Sequence, residues 1–171
     1  MSTFVTVGNN KKPFRRLVDQ IVEVAPDLPS PVLVQSGHTP LTTDRCQVVD
    51  FLNMEDFKSE IDEAELIIMH AGAGSLIHAL RAGKMPVVMP RLFAYGEHVD
   101  DHQEELANHF GRIGKAVQVG HNESLLSCAE EALRRQRTTS RDKDERLAQA
   151  VREILSGIEN AKELDSASST P

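Results

Sequence analysis

Six short apolar runs, each separated from the next by a stretch of different periodicity, constrain this chain more than anything else in it. The runs are Phe4–Val7, Pro31–Val34, Gln47–Phe51, Ala64–Met69, Met85–Met89 and Lys115–Val119. All have strand length, and the apolar ones do not alternate with polar residues. Between the first two, Phe14, Leu17, Val18, Ile21 and Val22 recur at helical spacing. Further helices are expected near Met54–Ala64, over Ser75–Ala82, from beyond Glu97 to about Phe110, and from Asn122 to about Arg135. Unalternated strands are buried on both faces, and strands interleaved with helices build a parallel sheet covered on both sides. The expected fold is therefore α/β: one Rossmann-like domain over residues 1–136 with a parallel sheet. On such sheets ligands bind outside the strand C-termini.

The last segment reads differently. Leu147, Ala150, Val151, Ile154, Leu155 and Ile158 form one apolar stripe, predicting a C-terminal amphipathic helix over 142–160 that packs on its own domain or docks on a partner. Residues 163–171 (E-L-D-S-A-S-S-T-P) are expected to be disordered.

Composition narrows the function classes. A chain of 171 residues with 40% hydrophobic content can bury a core without staples. Cys46 and Cys128 are too few for a disulfide framework or a zinc ribbon, which suits a reducing compartment. No apolar run approaches the roughly 20 residues that span a bilayer, and the N-terminus enters a strand pattern at once, so neither a signal peptide nor an anchor is expected. A net charge of −7 argues against nucleic acid as a partner, because phosphate backbones are held by an excess of Lys and Arg. The local run R-R-Q-R-T-T-S-R (Arg134–Arg141) reads as a solvated turn.

The stretch M-H-A-G-A-G-S-L (Met69–Leu76) joins the fourth strand to a helix. Small residues at such a crossing let backbone N–H groups approach a ligand, and the helix N-terminus favours an anion, which points to phosphate. The dinucleotide fingerprint G-x-G-x-x-G is not met: its sixth position is Ile77, and the next strand ends at Pro90-Arg91 without the acidic residue that holds a ribose. His70, ending a strand, reads either as a residue facing phosphate or acceptor or as a satisfied structural histidine. Arg91 follows a strand C-terminus, where its bidentate fork suits a phosphate or a sugar carboxylate. Gly8, Asn9 and Asn10 end the first strand at the same edge and face an acceptor or partner, or simply turn.

The densest polar cluster is Glu97-His-Val-Asp-Asp-His-Gln103. On a helix, His98 and His102 would share a face at zinc-ligand spacing, but the intervening Glu of H-E-x-x-H is missing and no third ligand is fixed. No metal or cofactor is expected.

Together these residues carry a family resemblance. H-A-G-A-G-S-L-I-H-A-L-R-A-G-K-M-P-V-V-M-P-R followed by G-E-H-V-D-D-H-Q-E-E-L-A, with the opening F-V-T-V-G and P-F-R-R-L-V, resembles the C-terminal nucleotide-sugar-binding domain of family 28 glycosyltransferases. Within that family the chain is most similar to the PssE-like catalytic subunits of bacterial exopolysaccharide and capsule synthesis, relatives of the small catalytic subunit of the eukaryotic dolichol-linked N-acetylglucosaminyltransferase. The resemblance implies the C-terminal half of a GT-B fold. It assigns Gly72, Ala73, Gly74 and Ser75 to the diphosphate of a UDP-sugar, and Asp101 and Gln103 to the hydroxyls of the donor sugar; Glu97 of the same cluster is a further substrate-binding candidate. His78 stands where many members carry a ribose-binding glutamate. Only His70 and His98 lie near enough to serve as catalytic base. The implied activity is transfer from UDP to a lipid-linked saccharide acceptor at the cytosolic membrane face, with a membrane-anchored PssD-like partner. The alternative is a noncatalytic nucleotide-sugar-binding subunit.

Overall fold

The computed structural model describes residues 2–138. The expected helix at 142–160, its apolar stripe and the tail at 163–171 lie outside the described residues. Six strands, β1 (Thr3–Thr6), β2 (Val32–Gln35), β3 (Gln47–Val49), β4 (Leu66–His70), β5 (Val87–Met89) and β6 (Val117–Gln118), are interleaved, except where β2 runs to β3 through a loop, with five α-helices. These are α1 (Arg15–Val24), α2 (Met54–Glu63), α3 (Ala73–Arg81), α4 (His102–Arg112) and α5 (Leu125–Thr138). The strands form one sheet in the order β3-β2-β1-β4-β5-β6, and every adjacent pair is parallel. That is the expected α/β domain. The order reverses between β1 and β4, and ligands on doubly wound sheets bind at such a switch point.

Pleating divides the core into two layers. Val5, Val7, Val34, Ile68 and Val87 face one side with Leu17, Val18 and Ile21 of α1 and Leu125, Cys128 and Ala129 of α5. Phe4, Ile67, Met69 and Val88 face the other with Phe57 and Ile61 of α2, Leu76 of α3, and Leu106 and Phe110 of α4. Successive strand residues enter opposite layers, which is why these strands show no polar alternation in sequence.

Several boundaries depart from expectation. β2 runs through Gln35, whose carbonyl accepts from Val7 N–H at 3.1 Å. β3 stops at Val49 because the carbonyls of Val49 and Asp50 are taken by Ser36 and Gly37 N–H in the loop after β2. α4 begins at His102, later than predicted. Residues 93–101 instead form a 3-10 turn at Phe93–Tyr95 and a loop fastened by side chains.

The fastening centres on Arg91, just after β5. Its side chain is 0% exposed. Nη2 donates to Val7 O at 2.9 Å, and Nη1 donates to Lys12 O at 2.8 Å and Glu97 O at 3.3 Å, while the guanidinium lies 4.6 Å from the centre of the Phe14 ring. Burial pulls its pKa down to about 10, with Glu97 opposing, so it stays cationic at neutral pH. The structure places Arg91, expected to pair with a ligand phosphate or carboxylate, where Nη1 and Nη2 tie the end of β1 to the loop after β5 and Nε is buried without a partner. Replacing it with methionine leaves buried carbonyls without donors. Arg91→Met should lower the unfolding free energy by about 3 kcal/mol, read by urea denaturation; an unchanged midpoint would contradict this role.

Candidate functional site

All strands of a parallel sheet end at one edge, and there a cavity of about 450 Å³ opens across the ends of β3, β2, β1 and β4. His70, the last residue of β4, stands at its wall and is 8% exposed. A Cβ on Gly72 would come within 2.1 Å of its Nε2, and a Cβ on Gly8 within 2.5 Å of its Cε1 and Nε2. The imidazole is therefore clamped between the backbones of two loops, one after β1 and one after β4. Glycine is required at both for want of space, and at Gly8 also for its φ of +72°. Nδ1 is buried without a hydrogen-bond partner. Burial chiefly, then the Arg91 charge, pushes the His70 pKa down to about 4, with the Thr6 backbone pulling weakly upward. The ring is neutral at physiological pH.

Beside it, α3 presents an open N-terminus. Leu76 N–H donates to Gly72 O, the first bond of the helix, so the N–H groups of Ala73, Gly74 and Ser75 have no intrahelical acceptor. Gly72, the capping residue, has no side chain to fill that role, and the first turn holds no acid. α2 shows the contrast: Asn53 caps it by accepting from Asp56 N–H, and Glu55 and Asp56 occupy its first turn. α2 is closed to an anion, whereas α3 invites one. A Cβ on Gly74 would meet nothing within 4 Å. Gly74 and Ser75 line the cavity, as does His78, whose ring stands edge-on to Phe57 at 6.1 Å and whose pKa burial lowers, aided by Lys58 and Arg81.

The remaining residues singled out in sequence form a second group beyond the cavity. Glu97 is buried, its carboxylate accepting from Arg16 at 2.8 and 3.1 Å and from Leu92 N–H at 3.0 Å. Asp101 Oδ1 accepts from Phe93 N–H, and Gln103 Oε1 from Arg91 N–H. These bonds brace the loop after β5, so the acceptor atoms assigned to donor-sugar hydroxyls are partly spent. Gln103 keeps its Nε2 without a partner among the described residues. His98 and His102 do not share a helical face, because His98 precedes α4. Asp100 joins them instead, one carboxylate oxygen 2.9 Å from each Nδ1. Among the described residues no group of His, Cys, Asp and Glu could hold a metal ion.

The sequence reading missed the other half of the cavity: Thr6, Gln35, Phe51, Leu52, Met54 and Phe57. Phe51 is 48% exposed and meets the His38 ring edge-on at 5.1 Å. Gln35 Oε1, like His70 Nδ1, is buried without a partner. The usable signal was positional, since both residues follow predicted strands at the edge where ligands bind. A wider hollow of about 600 Å³ lies between β6, α4 and α5. None of the unpartnered buried polar atoms lines it. Its Cys128 thiol is raised to about 11 by burial and by Glu123, which makes it a poor nucleophile.

Two outcomes follow from the clamped histidine. Gly72→Ala should cost about 2 kcal/mol or more, and most of that cost should vanish in a His70→Ala background, a coupling that a double-mutant cycle reads directly. A folded-state pKa below that of the free imidazole adds stability present above about pH 6.5 and lost as pH falls toward 4. Between pH 7 and pH 5 the wild type should therefore lose about 2 kcal/mol more than His70→Asn in urea unfolding.

Comparison with known proteins bears on the family and the fold. The UDP-N-acetylglucosamine transferase subunit ALG13 of Yarrowia lipolytica is 35% identical over 78 residues, which is 46% of this chain and 38% of that protein. The subunit of the same name from Debaryomyces hansenii is 30% identical over 124 residues, 72% of this chain and 48% of that protein. The chain thus spans less than half the length of these relatives. Among solved structures, the glycotransferase of kitacinnamycin superposes with a TM-score of 0.58 at 20% identity, covering 92% of this chain and 37% of that one. The calicheamicin glycosyltransferase CalG4 gives 0.55 at 19%, covering 96% and 41%. These structures show the fold, a single α/β unit of GT-B type. Residues 2–158 match the glycosyltransferase family 28 C-terminal domain, and the chain belongs to that family.

Proposed function

We propose that this chain is the donor-binding, catalytic subunit of an inverting glycosyltransferase that takes a sugar from a UDP-sugar. The observation that carries the reading is the asymmetry of the cavity: an open helix N-terminus at the β4 end and an exposed aromatic ring at the β3 end. β3 and β4 are three strand spacings apart, about 14 Å, a span suited to an extended nucleoside diphosphate. The anion rests on Ala73, Gly74 and Ser75 N–H, and the base lies against Phe51. Those N–H groups carry the charge that develops on the departing UDP, so that no cation is needed there.

Transfer also needs a base for the attacking hydroxyl. His70, with its lowered pKa, is a weak base suited to hydrogen-bonding. His98, outside the cavity wall, is the second candidate: Asp100 at its Nδ1 fixes the tautomer and leaves Nε2 as an acceptor. Gln103 Nε2 is available to a donor-sugar hydroxyl.

The acceptor side is supplied by a second protein. The curated relatives it matches are themselves described as transferase subunits. No helix among the described residues is long and apolar enough to cross a membrane. The partner in this reading is a membrane-anchored, PssD-like subunit, the acceptor a polyprenyl-diphosphate-linked saccharide of exopolysaccharide or capsule synthesis, and the site of action the cytosolic face of the membrane.

UDP or a UDP-sugar should stabilise the isolated chain with chelator present, by about 2.7 kcal/mol at 100 times its dissociation constant. A panel of uridine ligands in a melting assay checks this. No shift with any of them, or a shift only with divalent metal, would overturn the reading, while binding without transfer in the reconstituted pair would favour a noncatalytic subunit. Gly74→Val should weaken UDP itself, whereas Gln103→Ala should impair transfer and spare UDP.

A further inference from the structure

Gln35 occupies a position that the roles described so far do not use. It ends β2 in register with Thr6 of β1 and Val49 of β3, so it lies in the cavity floor one strand in from the aromatic end and two strands from β4. The residue is 6% exposed, and its Oε1 is buried without a hydrogen-bond partner. Its own backbone is fully engaged in the ladder, the carbonyl accepting from Val7 N–H. The neighbouring Thr6 hydroxyl accepts from Gly8 N–H at 3.1 Å and does not bond the Gln35 oxygen. An unpaired buried carbonyl oxygen is costly, and an apolar side chain of the same size would fill this floor without that cost. The carboxamide oxygen is thus unsatisfied, on a residue that lines a cavity open to solvent.

We infer that Gln35 is a specificity-determining residue that reads the polar edge of the nucleobase. A carboxamide sets one acceptor beside one donor, which complements a group carrying N–H next to C=O, and the imide edge of uracil has that pattern. With the ring face against Phe51, the edge of the base points along the floor, where Gln35 lies. The inference rests on the nucleotide reading above.

The test uses the full chain, wild type and Gln35→Leu, titrated calorimetrically with UDP, 2′-deoxy-UDP, uridine and inorganic diphosphate. The expected result is at least about tenfold weaker binding of UDP, 2′-deoxy-UDP and uridine by Gln35→Leu, which corresponds to two lost hydrogen bonds. Diphosphate should bind both proteins alike, and ligand-free Gln35→Leu should melt no lower than wild type. Gln35→Met replaces it should the leucine variant fail to fold. If wild type binds UDP and the variant binds it within twofold, Gln35 only packs and the inference falls while the nucleotide reading stands. A loss that extends equally to diphosphate, or disappears with 2′-deoxy-UDP, overturns the assignment to the base. If wild type binds no uridine ligand, both readings fall together.

Discussion

One guanidinium holds the working edge of this protein in shape. Strand C-termini of a parallel sheet leave carbonyls and loops that the sheet itself cannot organise. Here Arg91 gathers Val7 O from β1, Lys12 O from the loop beyond it, and Glu97 O from the loop after β5. Phe14 lies over its face, and Arg16 reaches from the start of α1 to Glu97 and to Pro90 O. A buried cation is costly to desolvate, and it is held only where several acceptors converge. That convergence fixes the spacing between the β1 loop, which clamps His70 from one side, and the β5 loop, which carries His98. Arg91 thereby shapes the site, and its charge also helps to hold the His70 pKa down.

Much of the architecture was legible because it depends on local pattern. Val5, Ile68 and Val87 lie in one apolar layer, and Phe4, Ile67 and Val88 in the other. Runs that are apolar at every position already announce strands with two covered faces, and helical spacing at Phe14–Val22 announces what lies between them. The helix after Met69-His-Ala-Gly was equally readable, because Ser75–Ala82 holds strong helix formers and no breaker.

What could not be read was which polar side chains are spent on the protein itself. Arg91, Glu97, Asp101 and Gln103 are chemically suitable for phosphate or sugar, yet each bonds a partner distant in sequence or across a loop. Arg91 meets Val7 from 84 positions away, and Arg16 meets Glu97 from 81. Such pairings follow from the tertiary arrangement and leave no mark in a local window. Gln35 and Phe51 escaped for the opposite reason. One is an unremarkable amide at the end of an apolar run and the other an apolar residue among apolar residues, and only their placement around a shared hollow sets them apart.

The uncapped start of α3 also bears on turnover. In the proposed reaction the leaving UDP carries one more negative charge than it did as a sugar ester, and the three unpaired N–H groups of Ala73, Gly74 and Ser75 hold the more charged species more firmly. The feature that eases bond cleavage therefore makes the spent nucleotide a competitor for the site. The pace of repeated cycles would then be governed by how readily UDP is surrendered, and a supply of the donor would be partly offset by the accumulation of its own by-product.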